Sequence, residues 1–237
     1  MNVTYVKALA DNYIWLLVEG EEVVVVDPGE SQPVLDYLQA HSLELKAIWL
    51  THNHADHTDG VQAIKANYPS CPVYGPQEVA DWANYVLKDQ DQFDLWQIPV
   101  TVHRTAGHTP GHLSFLVADC LFCGDALFSA GCGRVFTKDY QAAYESMQYF
   151  RSLDDAVKVY AGHEYTQTNL RFALSLDPHS SVLQAALTDC QASLRAGKAS
   201  LPTTIGQERQ INSFLMAKNL TEFKRLRDLR DDFSYSL

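Results

Sequence analysis

Apolar residues in this chain come first in short strand-length runs and later in helical stripes. Tyr13-Ile14-Trp15-Leu16-Leu17-Val18 and Val23-Val24-Val25-Val26 are two such runs, and Gly20-Glu21-Glu22 between them predicts a hairpin. The second run stops at the turn signal Asp27-Pro28-Gly29. Residues 33–41 are spaced as a helix, and Lys46-Ala47-Ile48-Trp49-Leu50 predicts the next buried strand. Val61, Ala63, Ile64 and Tyr68 predict a helix after it, followed by a short strand at Pro72-Val73-Tyr74. From 76 to 98 the pattern weakens: 81–87 reads as a helical turn and Asp89-Gln90-Asp91-Gln92 as polar loop. Residues 100–105 alternate as a strand, 113–117, 121–123 and 157–161 are three more, and a helix is expected over about 140–150. Beyond residue 168 only helices are expected, at 168–176, 180–196 and 221–230. The change of pattern predicts an α/β body over 1–170 and a helical subdomain over 171–237.

Charge narrows the functions open to this chain. The formal net charge is -11, which argues against nucleic-acid binding. It is unevenly spread: residues 1–170 hold 9 Lys and Arg against 22 Asp and Glu, whereas 171–237 hold 9 against 7. The slightly basic tail is either a solvated helix face or a source of positive charge for an acidic substrate. No apolar run approaches a membrane span, and the amino terminus has no basic stretch leading into an apolar one, so a cytoplasmic protein with no membrane partner is expected. Five cysteines, an odd number, fit a reducing compartment. Cys120-Leu121-Phe122-Cys123 has C-x-x-C form, but on a strand residues three apart face opposite sides, so two packed thiols are expected there. We expect a monomer.

The densest chemistry lies at Thr51-His52-Asn53-His54-Ala55-Asp56-His57, between a predicted strand and a predicted helix. That is where α/β sheets place their ligands, and a helix amino end favours the Asp56 carboxylate. Three further strands end in a potential metal ligand with a glycine beside it: His108, Asp125 and His163. Histidine and aspartate without cysteine suit zinc, iron or manganese at a hydrolytic site. Seven donors exceed one tetrahedral ion and suit two. His52, His54 and His108 would hold one, and Asp56, His57 and His163 the other. Asp125 would join them, with the ions about 3.5–4 Å apart. Asp27 either braces a ligating imidazole or only makes its own turn. His41, His103, His112 and His179 read as packed or surface residues.

These residues resemble the metallo-β-lactamase superfamily, whose T-H-x-H-x-D-H signature stands at 51–57. The resemblance implies an αββα sandwich, two mixed sheets between helices, with a dinuclear site at the sheet edge. A narrower resemblance, to the hydroxyacylglutathione hydrolase (glyoxalase II) family, covers nearly the whole chain. It rests on Asp11-Asn12-Tyr13, Val26-Asp27-Pro28-Gly29, Phe122-Cys123-Gly124-Asp125, Leu127-Phe128, Gly131-Cys132-Gly133-Arg134, Gly162-His163-Glu164-Tyr165-Thr166 and Glu208-Arg209-Gln210-Ile211-Asn212. That family hydrolyses S-D-lactoylglutathione to glutathione and D-lactate. The resemblance implies metal ligation by His52, His54, Asp56, His57, His108, Asp125 and His163, with two divalent ions per chain, zinc first and iron or manganese as alternatives. It places substrate contacts on Arg134, Phe136 and Tyr165. In the tail Asn212-Ser213-Phe214-Leu215-Met216 departs from the family, which has an arginine where Met216 stands; Lys218 and Arg209 are the candidates for the same charge. Phe136 replaces a frequent tyrosine, and Thr137-Lys138-Asp139 replaces a Glu-Gly-Thr run.

A thioester suits such a site. Bound metal lowers the pKa of water to about 7, so two such ions would supply hydroxide for attack on the carbonyl at neutral pH. The leaving thiolate, with a solution pKa of about 8.5, needs little protonation. Asp56 and Asp125 are the expected catalytic carboxylates, Asp56 orienting the hydroxide's proton. The rival expectations are a lactonase, a β-lactamase or a thioesterase for another thiol carrier, then a mononuclear iron dioxygenase, then a non-catalytic metal-binding protein on the same fold.

Overall fold

The computed structural model describes residues 1–233. The chain forms two compact units. The first comprises Met1–Arg104, Gly111–Ala118 and Phe122–Gly124, and the second Thr105–Pro110, Asp119–Leu121 and Asp125–Leu237.

In the first unit, chain order gives β1 (Asn2–Ala8), β2 (Asn12–Glu19), β3 (Glu22–Val26), α1 (Gln32–His41), β4 (Glu44–Trp49), α2 (Ala55–Thr58), α3 (Val61–Asn67), β5 (Val73–Gly75), a 3-10 turn at Gln77–Val79, β6 (Tyr85–Val86), β7 (Gln92–Leu95), β8 (Ile98–Arg104) and β9 (Leu113–Val117); β10 (Cys120–Gly124) follows. Strands β1 to β6 form one mixed sheet in sequence order, antiparallel through β3 and parallel from β3 to β6. The continuous apolar runs of β2 and β3 exist because both faces are covered. On one face Ile14, Leu16, Val23, Val25 and Ile48 pack with Val34 and Leu38 of α1 and with Val61 and Ile64 of α3. On the other, Trp49 stacks on Phe115 at 5.0 Å and meets the edge of Phe122, which joins this sheet to strands of the next. The parallel β3–α1–β4 crossover brings two loops to one edge: 27–31 after β3 and 50–54 after β4.

The second six-stranded sheet has the order β14-β13-β10-β9-β8-β7. The second unit contributes β11 (Leu127–Phe128), β12 (Gly131–Cys132), α4 (Tyr140–Ser152), β13 (Lys158–Ala161), α5 (Thr166–Leu176), α6 (Ser181–Arg195), β14 (Thr203–Thr204), α7 (Ile205–Ile211) and α8 (Leu220–Asp232). Strands β11 and β12 form a separate two-stranded hairpin. Leu170 and Ala173 of α5, Leu183 and Cys190 of α6, Ile211 of α7 and Ala130 share a core.

Several stretches differ from the sequence expectation, among them β1, β7 and β14, where no strand was expected. The helical turn expected over 81–87 is a turn only at 81–82; Tyr85–Val86 form the edge strand β6, because Tyr85 stacks on Tyr74 of β5 at 4.6 Å and pairs with it in register. The glycine-rich stretch Gly131-Cys132-Gly133-Arg134, which reads as a loop, begins as a strand of the β11–β12 hairpin. Helix α7 has only seven residues, too few for a periodic signal; Thr204 caps it by accepting from Gln207 N–H.

Candidate metal centre

Within the first unit, β4 ends at Trp49 and the chain turns through Thr51 to His54, which precedes the single turn of α2. Of the three imidazoles here, His52 and His57 are buried, and their rings lie 4.2 Å apart. Nε2 of His52 faces Nδ1 of His54 at 3.1 Å, and Nε2 of His57 stands 3.6 Å from Asp56 Oδ2. Asn12, at the start of β2, donates from Nδ2 to both the carbonyl and the carboxylate of Asp56, each at 3.1 Å.

Asp27 orders this group. Its Oδ1 accepts from Thr51 N–H at 2.7 Å, and its Oδ2 accepts from Thr51 Oγ1 at 2.6 Å and from His57 Nδ1 at 3.1 Å. An ionised carboxylate only accepts, so His57 carries its proton on Nδ1. The Thr51 hydroxyl spends its proton on Asp27, so it accepts from His52 Nδ1 at 2.9 Å. Both rings therefore turn the bare Nε2 lone pair away from Asp27, the tautomer a metal ligand needs. Asp27 also sits at φ +53, so it makes the turn and braces the imidazole at once.

Within the second unit, Asp125 Oδ2 lies 3.4 Å from Nε2 of His108 and 3.4 Å from Nε2 of His163. His108 donates from Nδ1 to the carbonyl of Arg134 at 2.9 Å, which again leaves Nε2 as the lone-pair nitrogen. His163 stacks flat on Tyr165, with centroids 4.7 Å apart. A Cβ on Gly133 would stand 1.9 Å from the Asp125 carbonyl oxygen, so only glycine lets the chain pass there.

The donor spacing fits a metal. Ligands about 2.0–2.1 Å from a tetrahedral ion stand about 3.3–3.4 Å from each other. The separations within the two units, 3.1 and 3.6 Å in the first and 3.4 Å twice in the second, straddle that edge length. In the first unit one atom each of Asp27, His52 and His57 also falls within 4.8 Å of the others, but the Asp27 oxygens are already held by Thr51 and His57.

The residues expected to touch substrate divide. Phe136 is exposed, its ring 5.3 Å from His108, and the Arg134 guanidinium lies 5.8 Å from the Phe136 centroid. Arg134 Nε also reaches Asp231 at 3.4 Å. Lys218 and Met216 are exposed. Arg209 is engaged elsewhere: it donates to the carbonyls of Arg151 at 2.8 Å and Leu153 at 2.7 Å and pairs with Asp155 at 3.2 Å. Sequence reasoning named Asn12 and Thr51 only as parts of motifs, without a role, and passed over Glu78. The Glu78 carboxylate accepts from Asn53 N–H at 3.3 Å and from Gly111 N–H at 2.7 Å, tying the histidine loop to the start of the β9 segment. The T-H-x-H motif itself could have flagged Thr51, since ligating imidazoles need a partner on the other nitrogen.

A family model described as the metallo-β-lactamase superfamily matches residues 10–163, and one described as the hydroxyacylglutathione hydrolase C-terminus matches residues 164–233. The first match and the two sheets with their His and Asp donors set the class as that superfamily, with the expected two mixed sheets flanked by helices and a C-terminal helical region. The hydroxyacylglutathione hydrolase of Glaesserella parasuis is 48% identical over 234 residues, 98% of this chain and 100% of the relative. That of Haemophilus ducreyi is 44% identical over the same span and coverage. The chain belongs to the hydroxyacylglutathione hydrolase family. Among solved structures, ETHE1 from Myxococcus xanthus shares the fold at a TM-score of 0.75 with 24% identity, covering 96% of this chain and 90% of that one.

Proposed function

We propose that the chain hydrolyses S-D-lactoylglutathione, or a close 2-hydroxyacylglutathione, to glutathione and the hydroxy acid, using two divalent ions. The ions would be held by His52, His54 and His108 on one side and Asp56, His57 and His163 on the other, with Asp125 common to both. The observation that carries this reading is that three imidazoles, His52, His57 and His108, have Nδ1 tied to oxygen acceptors and present Nε2 among carboxylate or imidazole donors at the spacing of a metal's ligands. Zinc fits this borderline donor set best, with iron and manganese as alternatives.

When bound, such ions supply hydroxide at neutral pH and polarise a carbonyl. The chain's own groups do the rest. Asp27 and Thr51 hold the tautomers of His57 and His52. Asn12 fixes the Asp56 carboxylate, which then orients a proton beside His57. Because a thiolate leaves without prior protonation, no further acid is required of the chain. Arg134, Phe136 and Tyr165 would receive the thiol carrier, and Lys218, in the helical subdomain 171–237, would meet a carboxylate of glutathione in place of the absent arginine. The bonds made by Arg209 are those of a brace on the loop after α4, so we assign it no substrate contact.

Met216 favours one second reading, hydrolysis of a thioester on another thiol carrier. The test is a comparison of kcat/KM for S-D-lactoylglutathione, for a lactoyl thioester lacking the glutamyl and glycyl groups, for a lactone and for a β-lactam. The proposal expects the glutathione thioester to be the best substrate. A higher value for the truncated thioester would transfer the assignment to another carrier, and turnover of only the lactone or the β-lactam would refute it.

A further inference from the structure

The β11–β12 hairpin and the two residues after it touch all three candidate ligands of the second unit. The Arg134 carbonyl, two residues past β12, holds His108 Nδ1. Gly133 passes against the Asp125 backbone with no room for a Cβ. The Phe128 ring meets His163 at 6.0 Å and its neighbour Tyr165 at 5.1 Å, both edge-on. Yet the hairpin has only two residues per strand, and Ala130 in its turn is left-handed at φ +55 without being glycine. So short a hairpin does not hold its shape unaided.

What holds it comes from the tail. Glu208 of α7 is fully buried, and its carboxylate accepts from Ser129 Oγ at 2.9 Å, Ala130 N–H at 2.8 Å and Asn212 Nδ2 at 2.9 Å. Asn212 donates from the same Nδ2 to the carbonyls of Phe128 at 3.2 Å and Gly131 at 2.9 Å. Arg227 of α8, also buried, donates to the Cys132 carbonyl at 2.9 Å and pairs with Asp231. The tail thus occupies the polar backbone groups of the turn and of the far strand. Burial pushes the Glu208 carboxyl above its usual pKa, and its bonds to Asn212, Ala130 and Ser129 offset part of that cost.

We propose that Glu208 and Asn212, aided by Arg227, are positioning residues for metal: through the hairpin they fix His108, Asp125 and His163, so the helical tail sets metal affinity apart from any part in binding substrate. The proposal rests on the metal reading above. A carboxamide at 208 that keeps its oxygen on Ala130 N–H and Asn212 turns its N–H₂ toward Ser129, whose hydroxyl must then reverse to accept, so it weakens the clamp at nearly constant volume.

The test is zinc affinity of the full-length folded protein, by competition with a chromophoric chelator, for wild type, Glu208→Gln, Asn212→Ala and the milder Ser129→Ala. Val34→Ala, in the core beside α1, serves as a destabilised control. Loss of a partner behind the ligands typically weakens metal binding about 10–100-fold, and that is expected for Glu208→Gln and Asn212→Ala in molecules whose circular dichroism is unchanged. Ser129→Ala should weaken binding in the same direction by less, and it keeps the test decisive if the others do not fold. Val34→Ala should lower the Tm and leave affinity alone. Folded variants that bind zinc as tightly as wild type, whatever their Tm, would overturn the proposal while leaving the metal reading standing. Wild type that binds no metal would overturn the metal reading and the proposal with it.

Discussion

Asp27 spends both carboxylate oxygens on the histidine loop, and asparagine at this position isolates what that does. Asn is tolerated at the left-handed φ of +53, so the turn survives. Its amide nitrogen would face Thr51 Oγ1 and His57 Nδ1 and can accept from neither. Asp27→Asn should therefore reduce metal affinity or kcat by about 10–100-fold with the fold intact, read by zinc titration and steady-state rates. Wild-type values would show that Asp27 only shapes its turn. Arg134 makes the opposite case: exposed and set beside Phe136 rather than among the donors, it should bind remote parts of the substrate. Arg134→Ala should raise KM more than it lowers kcat, and an unchanged KM would exclude that role. The histidines were legible because so many donors within six residues have no cheaper explanation. Asn12 was not, since its bond to Asp56 spans 44 positions and a polar residue before an apolar run reads as a turn.

Two glycines separate what an element needs from what the centre needs. Gly20, between β2 and β3, lies at φ +60 with open space around its missing side chain. Gly20→Ala should cost about 1–2 kcal/mol in denaturant unfolding and leave turnover unchanged. Gly29, in the turn after β3, has no such space, since a Cβ there would stand 1.7 Å from the Asp56 carbonyl oxygen. Gly29→Ala should push the 27–31 turn off α2 and lose activity out of proportion to stability; equal effects from both variants would contradict this. Helix α1 and strands β2 to β5 were readable because apolar period and length agreed, and Pro33 and the left-handed Ser42 mark the helix ends. Strand β6 was not, because it exists only by pairing with β5, and β11–β12 was not, because the bonds that hold it come from residues some 80 positions later.

At the scale of the whole molecule, no described helix is long and apolar enough to cross a membrane. The five cysteines are all buried thiols. Burial pushes Cys71, Cys120 and Cys190 up to about 11, so at pH 8 each stays protonated and unreactive. Alkylation of native protein at pH 8 should therefore be negligible and should appear only on unfolding; rapid titration of any of the three would contradict the packing described here. The donors come from loops after β4, β8, β10 and β13, far apart in sequence, which is why residue spacing pointed to the ligands and their order but could not supply the tautomers or the clamps behind them. The central claim, two ions serving thioester hydrolysis, meets its most direct test in one titration. Protein stripped of metal by chelation is returned to zinc while bound metal per chain and hydrolysis of S-D-lactoylglutathione are followed together. No turnover is expected without metal, and full recovery is expected as two equivalents bind. Turnover that persists after complete removal of metal would contradict the claim.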